Sequence, residues 1–321
     1  VTLRLRHRIP RSAPSTEGEQ VGLAGVLDRL DHQARLTRVP GLSVEWGFTW
    51  ERGDALTRTW WPQGLTSSGE AGAAYDGPRV LLAAWYAKDA DGTHRRSRVS
   101  VVELGSLRYR HVELVTADLR PLPVHAGGLA WSGDHLLVAA TKRGLGVAPL
   151  SGVRRLTDAR GRERDVLPVT SWLRAEQDDE APQLRYSFCS IDAAEPDSPR
   201  LLVGEYGGSG ATHRVVDYPL DPTTGLPLAG DGGGCVARPV SHGPVRMQGL
   251  VVVDGVQHVT CSHGTRLPGT LHVGRPGALR IRLGALPPGP EDLTYWPELG
   301  LLWCQSEHPG RRYVFAVRPS A

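Results

Sequence analysis

The sequence predicts an all-β fold, a five-bladed β-propeller closed by an N-terminal strand, and three observations carry that expectation. Strands of Val, Leu, Thr and Trp are punctuated by DG, SG and PG turns, with 39 glycines and 25 prolines in 321 residues, which is the composition of short strands and turns. A strand-turn-strand-turn-strand unit recurs five times, at intervals of about 60 residues that shorten to about 43 at the end, the mark of a blade array. Each unit opens through a small or acidic residue followed by a large apolar one.

In chain order, residues 1–40 read as a polar, Arg-rich arm with a helical segment over Val21 to Leu36, where Val21, Leu23, Val26, Leu27 and Leu30 partly fit one face. Residues 41–321 read as one propeller domain. The units open at WWPQGLTSS (Trp60), HAGGLAWS (His125), RYSFCSID (Arg185), RMQGLVVV (Arg246) and GPEDLTYW (Gly289), and share Leu65, Leu129, Phe188, Leu250 and Leu293. Second strands follow at RVLLAAWY, HLLVAAT, RLLVGEY, VQHVTCS and GLLWCQS. The last unit ends after three strands, so TLRLRHRI or SVEWGFTW should complete it; radial closure leaves no long exposed sheet edge. Residues 105–122 and 150–183 read as insertions, and TDARGRERD and AEQDDEAPQ within the second as charged surface loops.

Composition narrows the function. A net charge of +3, with Lys88 and Lys142 the only lysines and no concentrated basic tract, gives no nucleic-acid footprint, and no apolar run reaches the roughly 20 residues of a membrane span. The expected partner is a small molecule and the expected state a monomer. Location follows the true start: cytoplasmic if Val1 is native, secreted if a leader has been removed. Cys189, Cys235, Cys261 and Cys304 show no metal-type spacing; buried thiols are expected, with a disulfide from Cys235 the lesser option.

The propeller gives the polar residues an address. Turns into the innermost strands converge on one channel mouth, which should gather Gln63, His125, Tyr186, Gln248, Glu291 and Asp292. Second strands should run back to the same face and bring Trp85, Tyr86, Lys88, Lys142, Arg143, Glu205, Tyr206, His263, Glu307 and His308. Polar groups in one register are costly to bury unless they meet partners, water or a ligand; a satisfied network without chemistry is the alternative. Carboxylates beside imidazoles are the minimum for acid-base catalysis, so His125, His263, His308 and Glu291 are the candidate catalytic groups. Gln63, Trp85, Glu205, Tyr206, Gln248 and Glu307 are the candidate ligand contacts. The first four could also hold a divalent transition metal, and Glu291, Asp292, Gln63 and Gln248 calcium; spacing does not choose. No GxSxG elbow is present. Most of the nine tryptophans should be core.

VHAGGLAWSGDHLLVAATKRGLGV, MQGLVVVDGVQHVTCSHGTRLPGTLHV and GPEDLTYWPELGLLWCQSEHPGRRYVFAV, within residues 60–321, resemble a group of actinobacterial propeller-like proteins labelled secreted or hypothetical; the resemblance implies the fold and transfers no activity. More distantly, the QGL and EDL turns are similar to those of gluconolactonase, paraoxonase and strictosidine-synthase-like propellers, which implies a calcium or acid-base site at the channel mouth. Those have six blades and this chain shows five units, so their catalytic residues are not carried over. The expected function is a small-molecule enzyme, a hydrolase, lyase or cyclase in secondary or carbohydrate metabolism, with a non-catalytic carbohydrate- or protein-binding propeller as the alternative.

Overall fold

The computed structural model describes residues 2–10, 13–89, 91–177, 182–195, 197–230, 233–238 and 241–319. The fold is almost entirely β, in a β-propeller arrangement whose strands form five sheets. Each sheet begins with one of the repeated turns. The opening strands are Trp60–Ser67, Leu129–Ser132, Phe188–Asp192, Met247–Val253 and Pro290–Trp296. Each pairs antiparallel with the strand that follows it. These five strands also pack against one another in cyclic order, the fifth sheet's returning to the first's.

The small residue of the shared turn is explained by this packing. A Cβ on Gly128 would stand 2.4 Å from the Cys189 nitrogen, and one on Gly249 2.4 Å from the Leu293 nitrogen. Neighbouring opening strands therefore touch through backbone, and only glycine leaves room. The large residue that follows fills the space between sheets: Leu65, Leu129, Phe188, Leu250 and Leu293 are all buried. Asp292 crosses the axis, its Oδ2 accepting backbone N–H groups from Leu65 (2.9 Å) and Leu129 (3.0 Å) in two other sheets. Glu70 does the same at the far end, where its carboxylate accepts from Thr66 (2.7 Å), Thr294 (2.7 Å) and the Trp131 nitrogen (3.3 Å).

Of the two N-terminal candidates, the segment SVEWGFTW pairs with the last strand: Val44–Thr49 runs antiparallel to Tyr313–Val317. Leu3–Arg8, the core of TLRLRHRI, instead pairs with Ser171–Gln177 on the outside of the second sheet. The expected helix over Val21 to Leu36 is cut to Gly22–Leu27, which buries Leu23 and Val26; beyond it, short bridges to Arg108–Thr116 and Val44–Thr49 claim the backbone.

The two expected insertions carry sheet structure. Arg108–Thr116 is the fourth strand of the first sheet, extended by Glu163–Val169 in parallel, and Ser171–Gln177 is the fourth of the second. Within TDARGRERD, Asp165 is not a surface loop residue but is buried between Arg155 (2.8 Å) and Arg110 (2.6 Å); two arginine partners make that burial tolerable. Part of AEQDDEAPQ, residues 178–181, lies outside the described residues. All four cysteines are free and buried, and among the described residues no helix is long and apolar enough to cross a membrane.

Candidate functional site at the channel mouth

Where the opening strands begin, a cavity of about 690 Å³ opens on the axis, within the range of small-molecule sites. Its wall includes Gln63, Tyr86, His125, Tyr206, Gln248, Glu291 and Glu307, with Lys142, Arg143 and Arg185 around one side. Gln248 and Glu291 enter from the starts of opening strands, Gln63 from within one and His125 from the turn before one; Tyr86 comes from near the end of a second strand, and Tyr206 and Glu307 from just beyond theirs. Antiparallel pairing within each sheet brings both sets to one face.

Hydrogen bonds lace the wall together. His125 Nε2 lies 2.7 Å from Gln63 Oε1, and the Gln63 amide nitrogen donates to the Pro62 carbonyl (2.9 Å) and to Glu307 Oε2 (3.3 Å). With its amide oxygen able only to accept, Gln63 assigns the His125 proton to Nε2. The Gln248 amide donates to Glu291 Oε1 across 3.1 Å. The Tyr86 ring packs at a tilt against His125, 4.4 Å between centroids, and against His94 at 4.7 Å.

The two carboxyls differ in surroundings. Burial, then the nearby Glu307 and Asp292 carboxyls, hold the Glu291 carboxyl well above the usual range, with no cation opposing them. Burial also raises Glu307, but the His308, Lys88 and Arg312 charges and the Gln63 hydrogen bond pull against it. Cations and a hydrogen bond thus favour the ionised form of Glu307, and no cation does so for Glu291. Burial, with His94 and Lys88 nearby, presses His125 down to about 4, so its ring is neutral near neutrality. Arg312 braces Glu307 from behind, its Nε donating to the Glu307 carbonyl (2.8 Å) and its Nη1 to the Asp54 carbonyl (2.7 Å).

Several expected residues stand elsewhere. Trp85 is no wall: it lies in the core against Trp50, its Nε1 donating to Ser100 Oγ across 2.8 Å, while its neighbour Tyr86 faces the cavity. Glu205 turns inward to Arg214 (2.8 Å), and Tyr206 takes the mouth position. Tyr186 is buried with its hydroxyl 2.8 Å from that of Tyr218, and Arg185 lines the cavity instead. Each pair differs by one residue along extended chain, where consecutive side chains face opposite ways. His308 sits behind the wall, its Nδ1 3.6 Å from Glu307 Oε1. His263 is turned to Thr270 Oγ1 (2.9 Å) and lies outside the lining. Asp292 belongs to the channel interior. Among the described residues no group of three or more His, Cys, Asp or Glu side chains could hold a metal ion, so His125, His263, His308 and Glu291 are not gathered into the transition-metal site that was one option for them.

Sequence reading also passed over His94, Arg185 and Arg312. Arg185 stands in the shared turn itself, so the repeat alignment could have found it; His94 and Arg312 come from the starts of third strands or the turns before them, which the alignment did not weigh.

No protein-family model matches the chain, and no curated relative matches it. Among solved structures it is similar to the GH43_1 enzyme of Xanthomonas citri (10% identity over 82% of this chain and 89% of that one, TM-score 0.43). It is similar also to a gluconolactonase of Xanthomonas campestris (14%, 99% and 90%, TM-score 0.38). A third is the Cps50 (Swd1) β-propeller domain of Myceliophteria thermophila (10%, 88% and 99%, TM-score 0.41). At these scores the likeness carries no inference about activity.

Proposed function

We propose that the chain is a hydrolase of C–O bonds in small carbohydrate-like molecules, working at the mouth of a five-bladed ring whose fifth blade is completed by Val44–Thr49. The observation that carries this reading is the Glu291–Glu307 pair: two carboxyls on the wall of one cavity, both raised by burial, with cations set only against Glu307. Environments that push two carboxyls apart assign their roles. Glu307, ionised first, takes a proton from the attacking water; Glu291, still protonated, gives its proton to the oxygen of the breaking C–O bond. Water is added across the bond, and proton exchange with solvent restores both groups. Gln63 and Gln248 hold the two carboxyls in place, Tyr206 offers an exposed ring for a sugar face, and neutral His125 presents Nδ1 as an acceptor.

The test is a panel of aryl glycosides and aldonolactones given to the wild type, E291Q and E307Q. Loss of one acid-base group costs about 10² to 10⁴ in rate, so turnover by the wild type with such losses in both variants, at unchanged stability, is the expected result. Equal turnover by all three refutes the assignment. Binding of panel members without turnover by the wild type would favour a carbohydrate-binding propeller.

A further inference from the structure

The two carboxyls occupy only part of the cavity. Lys142, Arg143 and Arg185 line it too, with Thr141 and Ser187 beside them. Lys142 and Arg143 are exposed, and among the described residues no carboxylate pairs with either. Arg185 has Glu205 nearby, at 3.9 Å, but that carboxylate is already held by Arg214 through two contacts of 2.8 and 3.0 Å and by the backbone nitrogens of Arg185 (2.9 Å) and Arg214 (3.1 Å).

The backbone that carries Lys142 and Arg143, and the Arg185 side chain, are held in position. Thr141 exchanges both backbone hydrogen bonds with Tyr186 (3.0 and 2.8 Å), which ties the Lys142–Arg143 turn to the start of the third sheet. Behind that turn, a Cβ on Gly144 would fall 2.0 Å from the Leu173 carbonyl oxygen, so the turn cannot be rebuilt around a larger residue. One Arg185 nitrogen donates to the Thr212 carbonyl (3.0 Å), fixing the plane of a guanidinium that still has other N–H groups to offer. Two exposed cations and one anchored fork, contributed by the second and third sheets while the acid-base pair comes from the fifth, make a receptor for a negatively charged group.

Resting on the hydrolase reading, we propose that the substrate is acidic: a sugar-like molecule whose carboxylate or phosphate is held by Lys142, Arg143 and Arg185 while its C–O bond meets Glu291 and Glu307. Charge at one end then orients the molecule in a cavity wide enough for a neutral sugar to settle in several ways.

Calorimetric titration with D-glucuronate, D-glucose 6-phosphate and D-glucose tests this on the wild type, the exposed double variant K142Q/R143Q, R185Q and E307Q. At least one acidic probe should bind at least 10-fold more tightly than glucose, and whichever does so assigns carboxylate or phosphate. That preference should fall at least 5-fold in K142Q/R143Q and in R185Q, weaken with added salt, and persist in E307Q. Equal binding of all three probes, no binding of either acid, or an undiminished preference in K142Q/R143Q overturns the proposal. Because E307Q separates binding from turnover, a hydrolase reading that fails on rate leaves this result standing, and the reverse also holds.

Discussion

His125 and Gln63 are joined by a 2.7 Å hydrogen bond from ring Nε2 to the amide oxygen, and the same amide passes on to Glu307. A histidine in the turn leading into the second sheet is thereby linked to a carboxyl at the end of the fifth. Replacing Gln63 with alanine cuts that link. Because the lost hydrogen bond favours the charged carboxylate, the Glu307 pKa rises and the acidic limb of the pH–rate profile moves to higher pH. A 10- to 100-fold loss in kcat should accompany the shift, read from full pH profiles of the wild type and Q63A.

His263 gives the contrasting expectation. Its imidazole is engaged with Thr270 and lies outside the cavity, so H263A should retain kcat within about 2-fold, while E307Q should not. Steady-state kinetics on one hydrolysed substrate decides between them.

Gly128 tests the ring. Alanine there drives a methyl to 2.4 Å from the Cys189 nitrogen, and neither strand can retreat without opening its contact with the next. Overpacking of this kind costs about 3 kcal/mol. Urea unfolding of G128A should show that loss, whereas alanine at exposed Gly53, where a Cβ meets nothing within 4 Å, should show far less.

Glu70 makes stability depend on pH. Burial pushes its carboxyl up to about 7 despite the hydrogen bonds from Thr66 and Thr294, against about 4.3 in an unfolded chain. The folded state holds this proton where the unfolded state has lost it, so the stabilisation is full below pH of about 4.3 and fades as pH rises to 7, by about 3 kcal/mol in all. Glutamine can keep the contacts, its oxygen accepting from Thr66 and Trp131 and its amide donating to Thr294. E70Q should therefore lose less unfolding free energy than the wild type between pH 5 and 8, the difference being the share due to Glu70.

Much of this architecture was legible because backbone contact imposes a sequence rule. The glycine of QGL and HAGG is required where opening strands approach through backbone, as at Gly128 and Gly249, and a large residue follows in every unit, so the repeat could be aligned and its polar ends assigned to one face. Gln63, His125, Tyr206, Gln248, Glu291 and Glu307 all line one cavity. The facing of side chains was harder to read. At Trp85–Tyr86, Glu205–Tyr206 and Arg185–Tyr186 the position was right and the side differed, since the end of a strand carries no alternating pattern to show which residue turns inward. Arg214, which claims Glu205, and Thr270, which claims His263, lie on neighbouring strands, and no local spacing reveals such partners. The charged stretch around Asp165 was opaque for the same reason: Arg110, one of its two arginine partners, lies far away in sequence.

The acid-base assignment is tested most directly by titrating the two carboxyls in place. Infrared difference spectra of the wild type against E291Q and E307Q, recorded as pH is raised, isolate the carboxyl band of each residue. Glu307 should lose its proton first and Glu291 later, both above the range of an ordinary glutamate. Both carboxyls already ionised at pH 4.5, or Glu291 ionising before Glu307, would contradict the assignment.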